Sequence, residues 1–390
     1  MAKVKAKEQK APVKKAAATK AAKAAKPAAA EAPSGGKAKV DRAEVLKALE
    51  RAAPALAGEK TMIPAFKCFL LDGVNVLAYN GTFAVRAPCP WPVEGAAQGR
   101  LLMDLLSGSS AEAVRGTSYT ENSLSFYLGK ASLKLPLLTG KDVYALDLPK
   151  EGGLALPVPK DVAALLGAMS LSMGVNLHKP VHYGLTIACR PDGLDWYTTD
   201  DVSATYIKTD GDVPKDLNGK VIAIPADACD ALAKLGDLLG EASWKVVPGS
   251  HLEVSHEDFW FMSRLNQASD RANLERLFGD AGSVKREVLP EGFDEVLKRT
   301  SVLLDASGDL MATGQIEKDT IRIQADTEAG DVDESLAWTY QVSKPFVFNP
   351  RLWVRVLGLA RKLGFGKKLA VFSAKKPWPW RYITSVQEKV

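Results

Sequence analysis

PEGFDEVLKRTSVLL at residues 290–304, LMATGQIEKDTIRIQADTEAG at 310–330 and FNPRLWVRVLGLARKLG at 348–364 predict a helix, a hairpin and a second helix, in that order. In the first segment Val296, Leu297 and Leu303 fall near a helical period, which gives one apolar face. The second holds two short strands joined by a turn. In the third, Asn349 stands as N-cap, Pro350 at the first helical position and Gly364 just past the end, so a helix is predicted over 349–363.

The same order occurs twice more upstream. Amphipathic helices are predicted at 41–56 and 159–173, two-stranded segments at 67–82 and 184–201, and second helices starting at 99 and 224. Strand pairs at 123–138, 251–265 and 368–386 close the three units. Asp72-Gly73 and Asp192-Gly193 are hairpin signals, because both residue types tolerate positive φ. Equivalent points in the first and second helices lie 58, 66 and 58 residues apart, so the pattern is a repeat. The predicted organisation is α+β: a tail at 1–40 and three tandem domains at 41–150, 151–287 and 288–390, each with paired helices on antiparallel sheets. Residues 266–287 read as a polar, insertion-like stretch.

Charge separates the tail from the body. Residues 1–40 hold eleven Lys, two Glu and no Arg, leaving forty basic and forty-four acidic groups in the rest of the 390-residue chain. Built from Ala, Lys and Pro, the tail has almost nothing to bury and is expected to be disordered. It reads as a polycation for DNA phosphates or, alternatively, as a solubilising extension. No apolar run approaches the roughly 18 residues a membrane span needs. Cys68, Cys89, Cys189 and Cys229 form no CxxC pair, which argues against a disulfide scaffold or zinc site and for a reducing cytoplasm.

Catalytic and metal constellations are missing from the sequence. It contains no GxxxxGK[ST], GxGxxG or HExxH pattern. His251 and Glu253 alternate as residues of a solvated strand do, and the Pro180 between His178 and His182 breaks any helix that would align them. Adjacent Asp200 and Asp201 suit a turn. No enzyme activity, cofactor or metal is expected. Basic residues do show a pattern: Arg351, Arg355 and Lys362 recur on one face of the 349–363 helix, with Arg361 beside them, and no acidic residue occurs in 349–386.

Together LKRTSVLL (297–304), IRIQADTEAGDVDESL (321–336), VFNPRLWVRVL (347–357), WYTTDD (196–201) and VLP (288–290) resemble the bacterial beta-type DNA polymerase sliding clamp or a divergent phage-encoded version of it. The resemblance covers about 41–390 and implies three clamp domains per chain. Two chains would close head to tail into a ring around duplex DNA. Pore-lining helices would then carry Arg42, Lys47, Arg51, Lys298, Arg299, Arg351, Arg355, Arg361 and Lys362 toward phosphates. The resemblance also implies a hydrophobic cleft for partner peptides at Gly184, Thr199, Asp201, Ala204, Val288, Leu289, Pro290, Ile383 and Ser385. The family's Met-Pro-Met ending is replaced by SVQEKV. Implied partners are double-stranded DNA without sequence preference, a DNA polymerase, a clamp loader and a second copy, in the cytoplasm of a bacterium or phage-infected cell and without a membrane. The rival reading is a histone-like DNA-coating protein acting through its tail.

Overall fold

A computed structural model describes residues 39–138, 152–175, 183–267, 271–340 and 345–388; residues 1–38 of the tail, His178 and His182 lie outside them, and Val40, expected in the tail, pairs with Val114 in a strand. Each of the three units builds two three-stranded antiparallel meanders, which merge among the described residues into sheets of twelve, eight and five strands, backed by a helix pair: α1 (Arg42–Ala52) with α2 (Gly99–Ser107), α3 (Val162–Met169) with α4 (Ala226–Ala233), and α6 (Phe293–Ser307) with α7 (Pro350–Leu357). Local chemistry starts these helices. Asp41 Oδ1 accepts the Ala43 and Glu44 N–H groups at 2.7 and 3.3 Å, and Asn349 Oδ1 accepts that of Arg351 at 3.0 Å. Helix α6 stops at Gly308, whose φ of +78° is open to glycine.

Three strands follow one another in the first sheet of each unit. They are Cys68–Asp72, Asn75–Tyr79 and Phe83–Pro88; Leu185–Arg190, Gly193–Thr199 and Ser203–Asp210; and Ala312–Glu317, Thr320–Thr327 and Gly330–Ala337. The second sheets contain Ala113–Thr120, Ser123–Leu128 and Ala131–Leu138; Ser243–Val247, His251–His256 and Phe259–Arg264; and Lys362–Gly366, Leu369–Ala374 and Trp380–Ser385. Where a closing strand pair was expected, a three-stranded meander forms.

Both junctions between units follow one rule: the third strand of a first sheet pairs with the last strand of the next unit's second sheet. Val85 lies opposite Phe261 at the first junction, and Ala204 opposite Ile383 at the second. At the first seam Phe83 and Phe261 stack at 5.7 Å.

Three expectations are corrected. The helix predicted over 349–363 ends at Leu357; Gly358 follows, and Lys362 and Leu363 pair with Ser373 and Phe372 in a strand. Burial of Leu363 in the sheet outweighs helical propensity. Arg361 and Lys362 therefore do not share a helical face with Arg351 and Arg355. The polar stretch 266–287 contains a helix, α5 (Arg271–Gly282), whose Leu274, Phe278 and Ala281 are buried. His251 and Glu253 are buried rather than solvated: His251 Nδ1 lies 3.0 Å from Ser250 Oγ, and Glu253 accepts the Gly152 N–H at 3.3 Å. Burial pushes the His251 pKa down, favouring a neutral ring.

Candidate functional site

Strand alternation sets the two sides of the sheet shared by the second and third units. On Leu369–Ala374 and Trp380–Ser385, Phe372 and Tyr382 face one way and Val371 and Ile383 the other. The first side meets the helix pair, with Phe372 5.2 Å from Trp353 of α7. The opposite side is covered by α5, which joins Ala188, Tyr197, Ala204, Val371 and Ile383 in a separate apolar cluster. Helix α5 is held at its C-terminal end by two guanidinium groups. Arg381 Nη1 donates to Phe278 O at 3.2 Å and Arg286 Nη1 to Ala281 O at 3.0 Å, placing two cations at the negative end of the helix dipole.

Beside α5, five of the expected cleft residues gather around one pocket of about 170 Å³: Thr199, Asp201, Ala204, Ile383 and Ser385, with Leu277 of α5 as a wall. The turn Asp200-Asp201 shapes its rim. Asp200 Oδ1 accepts the N–H groups of Val202 and Ser203 at 3.1 and 2.7 Å, and Asp201 adopts φ +79°. The Asp200 carboxylate thus does turn chemistry.

Val288, Leu289 and Pro290 are elsewhere. They line a second pocket of about 410 Å³ with Phe293 of α6 and Leu357 of α7. The strand Glu287–Val288 is three strand spacings from Trp380–Ser385, about 14 Å, so the nine expected residues do not form one cleft. Gly184 lines neither pocket; it has φ +92°, and a Cβ there would lie 2.0 Å from Ile224 O, so close backbone packing explains it.

The expected DNA-facing cations also divide. Arg42 donates to Ala111 O at 2.6 Å and Leu106 O at 2.8 Å, capping the end of α2. Arg51 pairs with Asp258 at 3.2 Å across the first junction. Lys298 pairs with Asp294 at 3.2 Å, Arg299 binds Glu334 through two hydrogen bonds of 2.8 and 2.6 Å, and Arg351 pairs with Asp305. Arg299 holds the Glu334 carboxyl below its ordinary pKa. Among the described residues, Lys47 and Arg355 are the exposed helix cations of this set without a carboxylate partner. Lys362 faces the side of the sheet that carries α5, since it lies opposite Ser373, which shares its face with Val371. No group of three metal-binding side chains occurs among the described residues.

Neither a family model nor a curated protein matches the chain. Solved structures do. The DNA polymerase III beta subunit of Thermotoga maritima is 14% identical with a TM-score of 0.76, the sliding clamp of Pseudomonas aeruginosa bound to griselimycin 16% with 0.77, and the sliding clamp of Bacillus subtilis 15% with 0.73. Each alignment covers 90% of this chain and 99% of the other. At such low identity the likeness is one of architecture, and it runs through all three units: the chain has the fold of the bacterial DNA polymerase sliding clamps.

Proposed function

We propose that the chain is a DNA sliding clamp, closed from two copies into a ring that encircles duplex DNA and tethers a polymerase. One observation carries this reading: the two internal junctions use the same kinds of strand edge, and the same two kinds are left over at the ends. Gly330–Ala337 is the third strand of its sheet and has a neighbour on one side only. Ala131–Leu138 pairs with Ser123–Leu128 along its length and with Glu94–Gln98 only through Leu137 and Leu138, so most of its other edge is unpaired. Exposed strand edges are templates for pairing. The leftover edges also carry opposite charge, Asp331 on one and Lys134 with the preceding Lys130 on the other, while Asp333 and Glu334 are paired with Arg322 and Arg299 within the chain. Two copies joined head to tail satisfy both, and three units become six.

Within such a ring the helix pairs face the DNA, reading phosphates without base contacts, as sliding requires. Lys47 and Arg355 contribute there, and the eleven tail lysines add sequence-independent attraction. A partner peptide from a polymerase or clamp loader places an apolar side chain in the pocket between Leu277 and Ile383. The protein is non-enzymatic and works on DNA in the cytoplasm.

Lifetime on DNA tests the ring. The protein, assembled on nicked circular duplex by a clamp loader, should persist there and should leave within seconds to minutes once the circle is cut. Equal lifetimes before and after cutting would refute encirclement and favour the histone-like reading, in which the tail coats DNA.

A further inference from the structure

We propose that the groove between Val284–Arg286, the segment that follows α5, and the strands Lys362–Gly366, Leu369–Ala374 and Trp380–Ser385 binds an acidic, extended peptide segment of a partner protein. It lies on the side of the sheet opposite the helix pair and has a volume of about 1050 Å³, which is pocket-sized. Six cations converge on it: Arg286, Arg361, Lys362, Lys375, Lys376 and Arg381. Among the described residues none of the six makes an ion pair with a carboxylate; Glu287, the nearest acid in sequence, is taken by Lys285 at 2.9 Å. Burial and the neighbouring Arg381 charge push the Arg286 pKa below its ordinary value, the mark of like charges held together without a counter-ion.

Such a cluster persists only because the fold fixes it. Arg286 and Arg381 each spend one donor on α5, and Arg381 also lies over the Tyr206 ring at 5.7 Å, leaving their remaining N–H groups for a ligand. Ala374, Pro379 and Trp380 add apolar lining. Carboxylates spaced along an extended chain suit the arginines bidentately and the lysines as point charges.

Two features argue against nucleic acid. Trp380 is only 2% exposed, so the groove offers no aromatic face for stacking unpaired bases. A concave pocket of this size admits a peptide but not the width of a duplex. The groove belongs to the folded chain itself, so the inference stands apart from ring closure and from the apolar pocket beside Leu277.

The experiment uses the full chain and a fluorescent twelve-residue probe alternating pairs of Glu with single Leu, read by anisotropy. Binding should weaken with salt. Replacing the exposed Lys375 and Lys376 together by Glu (K375E/K376E) should weaken it at least about tenfold, with unchanged circular dichroism and melting. Val202→Ala, on the rim of the apolar pocket and away from this groove, should leave the affinity within about twofold, so failure of the peptide-cleft reading is read separately. A probe that does not bind, or binds the double variant as well as the parent, overturns the proposal. So does a twelve-nucleotide single strand or a duplex that binds the groove more tightly than the peptide and is lost in the same variant.

Discussion

Trp353 is fully buried among aromatic rings, with Phe348 4.0 Å and Phe372 5.2 Å from it by ring centroid. Its indole N–H has no partner among the described residues, so its contribution is packing. Trp353→Ala should cost about 3–5 kcal/mol in a denaturant titration, and Trp353→Phe clearly less, because no hydrogen bond is lost. Alkaline pH is a second lever. Burial pushes the Cys68 thiol up to about 11 from 9.0 and the Tyr382 phenol up to about 12 from 10.0. Both groups are held neutral in the folded state, so their contribution is complete below the unfolded pKa values and is lost as pH rises through the folded ones. Melting temperature should therefore fall between pH 9 and 12, with the phenolate signal at 295 nm lagging that of the unfolded chain; a flat profile would contradict the burial. Single residues were unevenly legible. Asp72-Gly73 announces its turn because Gly73 needs φ +88°, whereas the strain that requires glycine at 184 comes from Ile224, forty residues away, and leaves no local trace.

Helices α1, α2 and α6 were readable because each turns an apolar stripe toward its own unit, and the period survives in the sequence. Helix α5 carries the same signal, Leu274, Leu277, Phe278 and Ala281 at i, i+3, i+4 and i+7, but its polar surroundings masked it. The end of α7 failed differently: residues 359–363 continue a helical pattern, and only pairing with Leu369–Ala374, a non-local event, converts Lys362–Gly366 to a strand. This distinction has a functional readout. Arg355→Glu on α7 should shorten retention on circular DNA several-fold, while Lys362→Glu on the opposite side of the sheet should leave it nearly unchanged; equal effects would mean that the two charges meet DNA alike. Removing the apolar grip of α5 with the double substitution of Leu274 and Phe278 by Ala should raise amide exchange in α5 and leave the main core protected, since its cluster is separate from that core.

Over the whole molecule, the repeat was legible because each unit repeats its local signals, while the junctions were not, since strand pairing between units joins residues more than a hundred positions apart, Ala204 to Ile383 among them. Assembly and DNA affinity are the properties that belong to this scale. Sedimentation should give a particle of twice the 41.9 kDa chain mass. Deleting residues 2–38 should make the dependence of log affinity on log salt shallower by about 0.9 for each phosphate the tail neutralises; an unchanged slope would make the tail a bystander. The unlike strand edges at the two ends give the chain a polarity, with a donor end and an acceptor end. A copy with a proline-blocked Gly330–Ala337 strand keeps its Ala131–Leu138 end, so mixed with intact copies it should cap them, yielding C-shaped pairs with one sealed joint and one permanent gap. Such a pair should slip onto a closed circle without any loading machinery and slip off again as freely.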